Sequence, residues 1–464
     1  LELPSRQFLF DPRIPAKADF HMLKKFKVQR LLGFANPIAI SILVACNTLL
    51  GVAFAAESSK ESKRSAKTSG AFNKQGFSSA GLQRIDAFFA DEMAKKRVPG
   101  AVVGIMRHGQ VVYLKAFGLQ NPETGEPMRT DSIFAVASMT KPMVAVGALT
   151  LTQQGKLPLF SRVDAYIPEV GQMKVEVIGA NGKPELADQK RPMRVHDLMR
   201  HTSGLTYGGR PDTAGAAASR YPAGGELPSM SGTQEFVSRV TALPLVYQPG
   251  STFEYSTSFE MLGAVIERVT EQRLGAYLKH AIWDPLGMKD TMFQVPNSQR
   301  HRLVHGFSKD PLTGKPQVIH PVTNNPTFDC GGGCALSTVP DYLRFGQMLL
   351  NGGYLNHHVV LGTGMVQLMT SNHLDSSIDN RVAQVEPHRA GYGFGLGVAV
   401  RTQAGVASVP GNVGEYSWNG AYGTGFFVDP KANLVVVFGT AAPGDLRKYY
   451  REQIQDLVYG ALTQ

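Results

Sequence analysis

The tetrapeptide Ser138-Met139-Thr140-Lys141 places a serine one helical turn before a lysine, a spacing found once in the 464 residues. A serine hydroxyl is a weak nucleophile at neutral pH and needs a base beside it. Because residues i and i+3 share a helix face, the Lys141 amine would point toward the Ser138 hydroxyl. An exposed Ser and Lys that open a surface helix are the alternative, so this candidate pair needs further support.

The residues around Ser138 predict a junction between two elements. The apolar run 133–137 is typical of an extended segment, and the apolar positions within residues 143–151 are typical of a helix. Pro142 suits a first helical turn, where its missing N–H costs nothing. The start of a helix also presents backbone N–H groups that stabilise a developing oxyanion.

Glu254-Tyr255-Ser256-Thr257 is the second candidate segment. It follows a turn at Gln248-Pro249-Gly250 and precedes the apolar helical stretch 259–269. A phenol beside a lysine cation is drawn toward phenolate and can act as a general base, first toward serine and then toward water. The alternative is an ordinary half-buried tyrosine, which describes most of the 15 tyrosines in the chain.

A third segment, Ser417-Trp418-Asn419-Gly420-Ala421, precedes Gly423-Thr424-Gly425 and a strand that ends near residue 430. Glycines let the backbone of a strand approach a ligand closely. An amide here would pair with the Ser138 N–H as an oxyanion hole, each donor contributing about 2.7–4 kcal/mol to the transition state. The alternative is a simple β-bulge.

His201 is the residue that a Ser-His-Asp triad would use. The chain has no Gly-x-Ser-x-Gly motif, and Ser203 is explained by the chemistry of a turn. We therefore predict a structural role for His201.

The elements that must position these residues follow from the hydrophobic pattern. Strand patterns occur near both termini, and helical patterns with Gly/Pro-rich loops occur between them. This order predicts one sheet domain built from both termini (81–137 and 390–464) with a mostly helical insertion (138–389). The predicted elements are a helix at 82–96, a hairpin at 101–107 and 110–118, strands at 394–401, 413–418, 422–428 and 434–439, and a closing helix at 444–462.

Taken together, Ser138-x-x-Lys141, Tyr255-Ser256 and Trp418-Asn419-Gly420 resemble the serine hydrolase superfamily of class C β-lactamases and penicillin-binding DD-peptidases. Within it, the chain most resembles the β-lactamase-like carboxylesterases of family VIII, over about residues 81–462. The resemblance implies an α+β, β-lactamase/transpeptidase-like fold, in which helices flank an antiparallel sheet. It also implies that no cofactor or metal is used.

The same resemblance implies a role for each candidate. Ser138 would be acylated, Lys141 would help to deprotonate it, and Tyr255 would pass the proton to the leaving group and activate water. The amides of Ser138 and Ala421 would form the oxyanion hole, and Trp418, Asn419 and Gly420 would bind substrate. Which of Lys141 and Tyr255 is the formal base stays open, because the two groups titrate together.

Two departures from the superfamily pattern bear on the substrate. Thr257 stands where β-lactamases and DD-peptidases usually have asparagine, and Trp418 stands where they commonly have a lysine that meets the substrate carboxylate. An indole cannot replace that cation, and losing a charge-assisted contact costs about 1.5–3 kcal/mol. We therefore predict a small-molecule ester or amide substrate, with an esterase favoured over a β-lactamase or DD-peptidase-like enzyme.

The net charge of +10 is concentrated near the N-terminus. Residues 1–80 carry a surplus of seven positive charges, and the rest of the chain carries only three. A basic tail on a nearly neutral body is unlike a nucleic-acid-binding face, so no nucleic-acid partner is predicted.

The N-terminal region is typical of an export signal. Basic residues at 24–30 precede an apolar run at 31–55, and Ala53-Phe54-Ala55 forms a cleavage site. We predict an upstream extension (1–21), a signal peptide (22–55), a disordered linker (56–80), and a periplasmic or secreted protein with no membrane span after cleavage. Lipidation of Cys46 and a permanent anchor through 31–55 are less favoured alternatives.

Cys330 and Cys334 are the two cysteines that cleavage would leave. Three glycines separate them, so the backbone is free to bring them within bridging distance. A disulfide and two buried thiols both remain open, whereas two ligands are too few for a structural metal site.

Overall fold

The computed structural model describes residues 75–210, 215–317 and 327–463. Its α-helices are α1 (Ser79–Ala94), α2 (Thr140–Gln153), α3 (Val195–Met199), α4 (Thr233–Thr241), α5 (Ser258–Thr270), α6 (Leu274–Leu278), α7 (Asp284–Leu286), α8 (Val339–Leu350), α9 (Thr363–Met369), α10 (Val382–Val385) and α11 (Leu446–Tyr459). Its strands are β1 (Gly100–Arg107), β2 (Gln110–Asn121), β3 (Glu126–Pro127), β4 (Phe134–Ala135), β5 (Val175–Ile178), β6 (Pro184–Ala187), β7 (Leu336–Ser337), β8 (Tyr354–Leu355), β9 (His358–Val359), β10 (Tyr392–Phe394), β11 (Ala399–Arg401), β12 (Tyr416–Asn419), β13 (Thr424–Asp429) and β14 (Leu434–Thr440). Among these elements, no helix has the length and hydrophobicity needed to cross a bilayer.

One eight-stranded antiparallel sheet joins the two ends of the described chain. Its strand order is β10-β11-β12-β13-β14-β1-β2-β3, so β1 pairs with the last strand, β14, on one side and with β2 on the other. The predicted hairpin and the predicted fold class, an antiparallel sheet flanked by helices, are both confirmed.

Both faces of the sheet are covered, because apolar side chains alternate along its central strands. Ala101, Val103 and Ile105 of β1 pack into the core beneath α1 and α11. The opposite face packs against α8. At Gly104 a Cβ atom would lie 2.7 Å from side-chain atoms of Val339 in α8, so glycine permits this close contact.

Helix α2 carries Lys141 and lies at the centre of the helical part of the molecule. Every residue from Thr140 to Leu151 is buried, and the helix packs against α5 and α6. A helix that is apolar on all sides belongs in a core. Lys141 is therefore enclosed by protein and fully buried.

The structure corrects three sequence predictions. Residues 75–80, predicted as linker, belong to the folded unit: Phe77 is 1% exposed and bridges Leu462, and Ser78 caps α1. The predicted strand 394–401 is two strands, β10 and β11, separated by a turn in which Gly397 has φ +82°. Helix α8 was predicted within the helical insertion but packs on the sheet. The predicted extension (1–21), signal peptide (22–55, with Cys46) and first part of the linker (56–74) lie outside the described residues.

Candidate active site

Ser138 lies in a 3-10 turn, Ala137–Met139, that leads directly into α2. The preceding strand β4 pairs with β7, which anchors the turn from one side. From the other side, the Thr140 hydroxyl donates to Ala137 O (2.7 Å) and accepts from Ala335 N (3.0 Å). Ala137 has φ +45°, a costly conformation for a residue with a Cβ atom, which this surrounding structure maintains beside Ser138.

The buried side-chain nitrogen of Lys141 lies within hydrogen-bonding distance of three oxygen atoms. Nζ donates to Gly332 O at 2.7 Å, to Tyr207 Oη at 3.2 Å and to Ser138 Oγ at 3.3 Å. These contacts satisfy the hydrogen-bonding groups of the nitrogen within the protein, which offsets the cost of burying this side chain.

Tyr255 completes the constellation predicted from the sequence. Its hydroxyl donates to Ser138 Oγ at 2.7 Å, and Lys141 Nζ lies 4.6 Å from the centre of its ring. The ring is fixed from behind by His201 (4.8 Å between ring centres) and Trp418 (5.3 Å). The structure thus places both Lys141 and Tyr255 within hydrogen-bonding distance of Ser138 Oγ.

Tyr207 and Glu260 were not identified from the sequence. The Tyr207 hydroxyl donates to the two carboxylate oxygens of Glu260, at 3.0 and 3.2 Å. Burial and the neighbouring Glu260 raise the pKa of Tyr207 well above its ordinary value, so this phenol keeps its proton. Burial also raises the pKa of Glu260, although the positive charge of Lys141 opposes that shift. The available signal for Glu260 was a carboxylate at the start of the apolar stretch 259–269, directly followed by the apolar run 261–266.

His201 lies below Tyr255 and forms no hydrogen bond with Ser138. Its Nδ1 accepts from the backbone N–H of Ser256 at 3.3 Å. Burial, with the positive charges of Lys141 and Arg210, holds the pKa of His201 well below its ordinary value. The ring is therefore neutral at pH 7, and its position agrees with the predicted structural role.

The hydroxyls of Ser138 and Tyr255 line a cavity of about 450 Å³. Ala421 lies on the wall of this cavity. Its backbone N–H donates to no acceptor among the described residues. Ser138 and Ala421, whose amides are predicted to form the oxyanion hole, therefore line the same cavity. Two cationic side chains, Arg210 and Arg447, also line the cavity.

The predicted substrate-binding residues Trp418, Asn419 and Gly420 are not among the residues that line this cavity. Trp418 is 3% exposed and packs behind Tyr255, since β12 directs its side chain into the core. At Gly420 a Cβ atom would lie 2.4 Å from Val136 O, so glycine lets this strand end reach the segment before Ser138. These residues support the site rather than form its wall.

Replacement of Trp418 by phenylalanine distinguishes a supporting role from a substrate contact. We expect a stability loss of about 2 kcal/mol from the smaller ring, with a lower kcat because Tyr255 loses part of its support. The preference between short and long p-nitrophenyl esters should change by no more than about twofold. Trp283→Phe is the matched control, because Trp283 is also buried (2% exposed) but lies outside the cavity lining. An altered ester preference at unchanged stability would contradict this assignment.

The fold and the site together define a serine hydrolase of the class C β-lactamase and penicillin-binding protein-like type. The chain belongs to the beta-lactamase family, whose model matches residues 85–458. It is 31% identical over 370 residues to esterase EstB of Burkholderia gladioli, covering 77% of this chain and 89% of the esterase.

A second relative and a solved structure also support a serine hydrolase related to esterases. Identity to the lovastatin esterase of Penicillium rubens is 27% over 403 residues, covering 81% of this chain and 98% of that enzyme. The solved structure of EstCE1, described as a hydrolase with promiscuous acyltransferase activity, superposes with a TM-score of 0.69 at 26% identity, covering 82% of this chain and 98% of that one. The protein is thus a carboxylesterase-like serine hydrolase.

Proposed function

We propose that this protein is an exported carboxylesterase that cleaves small-molecule esters through an acyl-enzyme on Ser138. The observation that carries the proposal is the contact of Ser138 Oγ with both the Tyr255 hydroxyl (2.7 Å) and Lys141 Nζ (3.3 Å) beside a cavity. The similarity to two enzymes named esterases supports an ester substrate. Export is supported by the predicted signal at 22–55 alone.

In the first half-reaction, Ser138 Oγ attacks the ester carbonyl carbon while the Lys141–Tyr255 pair takes its proton. The carbonyl oxygen becomes an oxyanion that accepts from the Ser138 and Ala421 amides. The tetrahedral intermediate then breaks its bond to the alcohol oxygen, and Tyr255 returns a proton to that leaving group. The acyl group remains on Ser138.

In the second half-reaction, a water molecule attacks the acyl carbonyl and gives its proton to the same pair. The bond to Ser138 Oγ breaks, the carboxylic acid leaves, and the serine regains its proton. Transfer to an alcohol in place of water would follow the same steps and give a new ester.

A β-lactamase or DD-peptidase-like activity is the second candidate. Position 418 counts against it, because a buried indole stands where those enzymes commonly have a lysine that meets the substrate carboxylate. Thr257, in place of their usual asparagine, is a second departure from their pattern. One structural observation favours it: Arg210 and Arg447 line the cavity and are able to meet a substrate carboxylate. Arg210 already forms an ion pair with Glu254, in which Nε lies 3.4 Å from Oε1.

A direct comparison of substrates tests the proposal. We expect the purified protein to hydrolyse p-nitrophenyl butyrate faster than a chromogenic cephalosporin at equal concentration. A fluorophosphonate probe should label the peptide that contains Ser138, as read by mass spectrometry. Faster turnover of the cephalosporin would favour the second candidate, and labelling of any other residue would contradict the role of Ser138.

A further inference from the structure

A disulfide-closed loop holds one of the three acceptors of Lys141. Cys330 and Cys334 are joined, with their Cα atoms 5.2 Å apart, around Gly331-Gly332-Gly333. The Gly332 carbonyl accepts from Lys141 Nζ at 2.7 Å, which is shorter than the contacts of Nζ with Tyr207 (3.2 Å) and Ser138 (3.3 Å). The loop that carries the disulfide therefore touches the active-site lysine directly.

Two backbone hydrogen bonds, from Gly333 N and Cys334 N to Cys330 O (3.2 Å each), and the disulfide hold the loop that carries this carbonyl. Three consecutive glycines have the greatest backbone freedom of any tripeptide and lose the most entropy when ordered. A disulfide removes much of that freedom by tying the two ends together. Gly332 also lies against Glu260: a Cβ atom at Gly332 would lie 2.1 Å from Glu260 Oε1, so a larger residue there would displace the carboxylate.

The geometry of the acceptors determines what Lys141 can do toward Ser138. The Gly332 carbonyl can only accept, and Tyr207 donates its one proton to Glu260, so its oxygen accepts from Lys141. Two of the three bonding directions of the lysine nitrogen are therefore occupied by N–H groups that donate to Gly332 and Tyr207. The third direction points toward Ser138 Oγ. In the neutral amine that position holds the lone pair, which is the group able to take the serine proton.

We propose that the Cys330–Cys334 disulfide is a positioning device for Lys141, and that its reduction by a thiol slows acylation of Ser138. The proposal rests on the proposed function of Lys141 and adds a redox dependence to it. In the reduction, a dithiol loses two electrons and two protons and becomes a cyclic disulfide. The S–S bond breaks, and Cys330 and Cys334 each gain one electron and one proton. The freed glycine loop then no longer holds the Gly332 carbonyl against Nζ.

Dithiothreitol treatment of the full-length protein is the first test. The chain has three cysteines, so thiol titration and mass spectrometry follow the reduction of this pair directly. We expect kcat for p-nitrophenyl butyrate and the rate of fluorophosphonate labelling to fall about tenfold, because small displacements of a reacting group are costly. Because Cys330, Gly332, Gly333 and Cys334 also line the cavity, KM is expected to change as well, and the slowed acylation is read from kcat and from the labelling rate. The double variant C330S/C334S should show the lowered kcat with or without reductant.

A rescue variant separates positioning of Lys141 from general stability. At Gly333 a Cβ atom meets nothing within 4 Å, and Gly333 does not have a positive φ. Gly333→Ala in the C330S/C334S background should restrict the loop. It should raise kcat about threefold over that of C330S/C334S alone. Gly364→Ala in the same background is the matched control, because Gly364 is equally open but lies in α9, and it should recover nothing.

Unchanged kcat and labelling rate after verified reduction would overturn the proposal, as would equal rescue by the two alanines. These outcomes leave the proposed function intact if Ser138→Ala is inactive. If Ser138→Ala retains turnover, the proposed function itself fails, whatever the reductant does. A fall in kcat that C330S/C334S does not reproduce would assign the effect to another site and also overturn the proposal.

Discussion

Replacement of Ser138 by alanine is expected to lower kcat/KM for p-nitrophenyl butyrate by about 10⁵-fold, which is comparable to loss of the nucleophile in other serine hydrolases. The variant lacks the oxygen that forms the acyl-enzyme, and the oxyanion hole alone gives only a small residual rate. The fluorophosphonate label should also be absent. Among the described residues, the Ser138 hydroxyl forms hydrogen bonds only with Lys141 and Tyr255, so the fold should be kept.

Ser371→Ala is the matched control for this experiment. Ser371 is exposed, and its hydroxyl bonds only to Gln367 O, at 2.7 Å. The same chemical change there should leave kcat/KM within about twofold of the parent protein. Turnover by Ser138→Ala near the parent rate, in a preparation free of other esterases, would show that the reaction does not pass through Ser138.

Replacement of Tyr255 by phenylalanine is expected to lower kcat/KM about 10³-fold. The change removes the hydroxyl that lies 2.7 Å from Ser138 Oγ, and general acid–base groups contribute roughly 10²–10⁴-fold. The ring, with its contacts to Lys141, His201 and Trp418, stays the same. The loss should therefore appear in kcat, with little change in KM or in thermal stability.

Tyr221→Phe provides the matched control. Tyr221 is also buried, and its hydroxyl donates to Pro244 O at 3.0 Å, away from Ser138. This variant is expected to lose about 1 kcal/mol of stability from the missing hydrogen bond and to keep its activity. A Tyr255→Phe enzyme with nearly the parent kcat would remove Tyr255 from the mechanism and leave Lys141 as the base.

Local patterns in the sequence were enough for several features of this protein. The i, i+3 spacing of Ser138 and Lys141 determines their contact, because helix geometry alone brings such residues together. Period-two alternation gave the hairpin β1–β2 and the approximate positions of β13 and β14. The short motifs around Tyr255 and Trp418 were enough to indicate the family, because each motif lies at a junction between elements that is typical of that family.

Only the tertiary structure decided the contacts between segments that lie far apart in the chain. Tyr255 is 117 residues from Ser138, and no local rule sets the 2.7 Å between their hydroxyls. The same holds for the Gly332 carbonyl on Lys141 and for Tyr207 with Glu260. Trp418 is the clearest example. Its position in the motif predicted a side chain on the cavity wall, whereas the orientation of β12 buries that side chain in the core. Which side of a strand meets the ligand depends on how the sheet packs, and packing is a property of the whole chain.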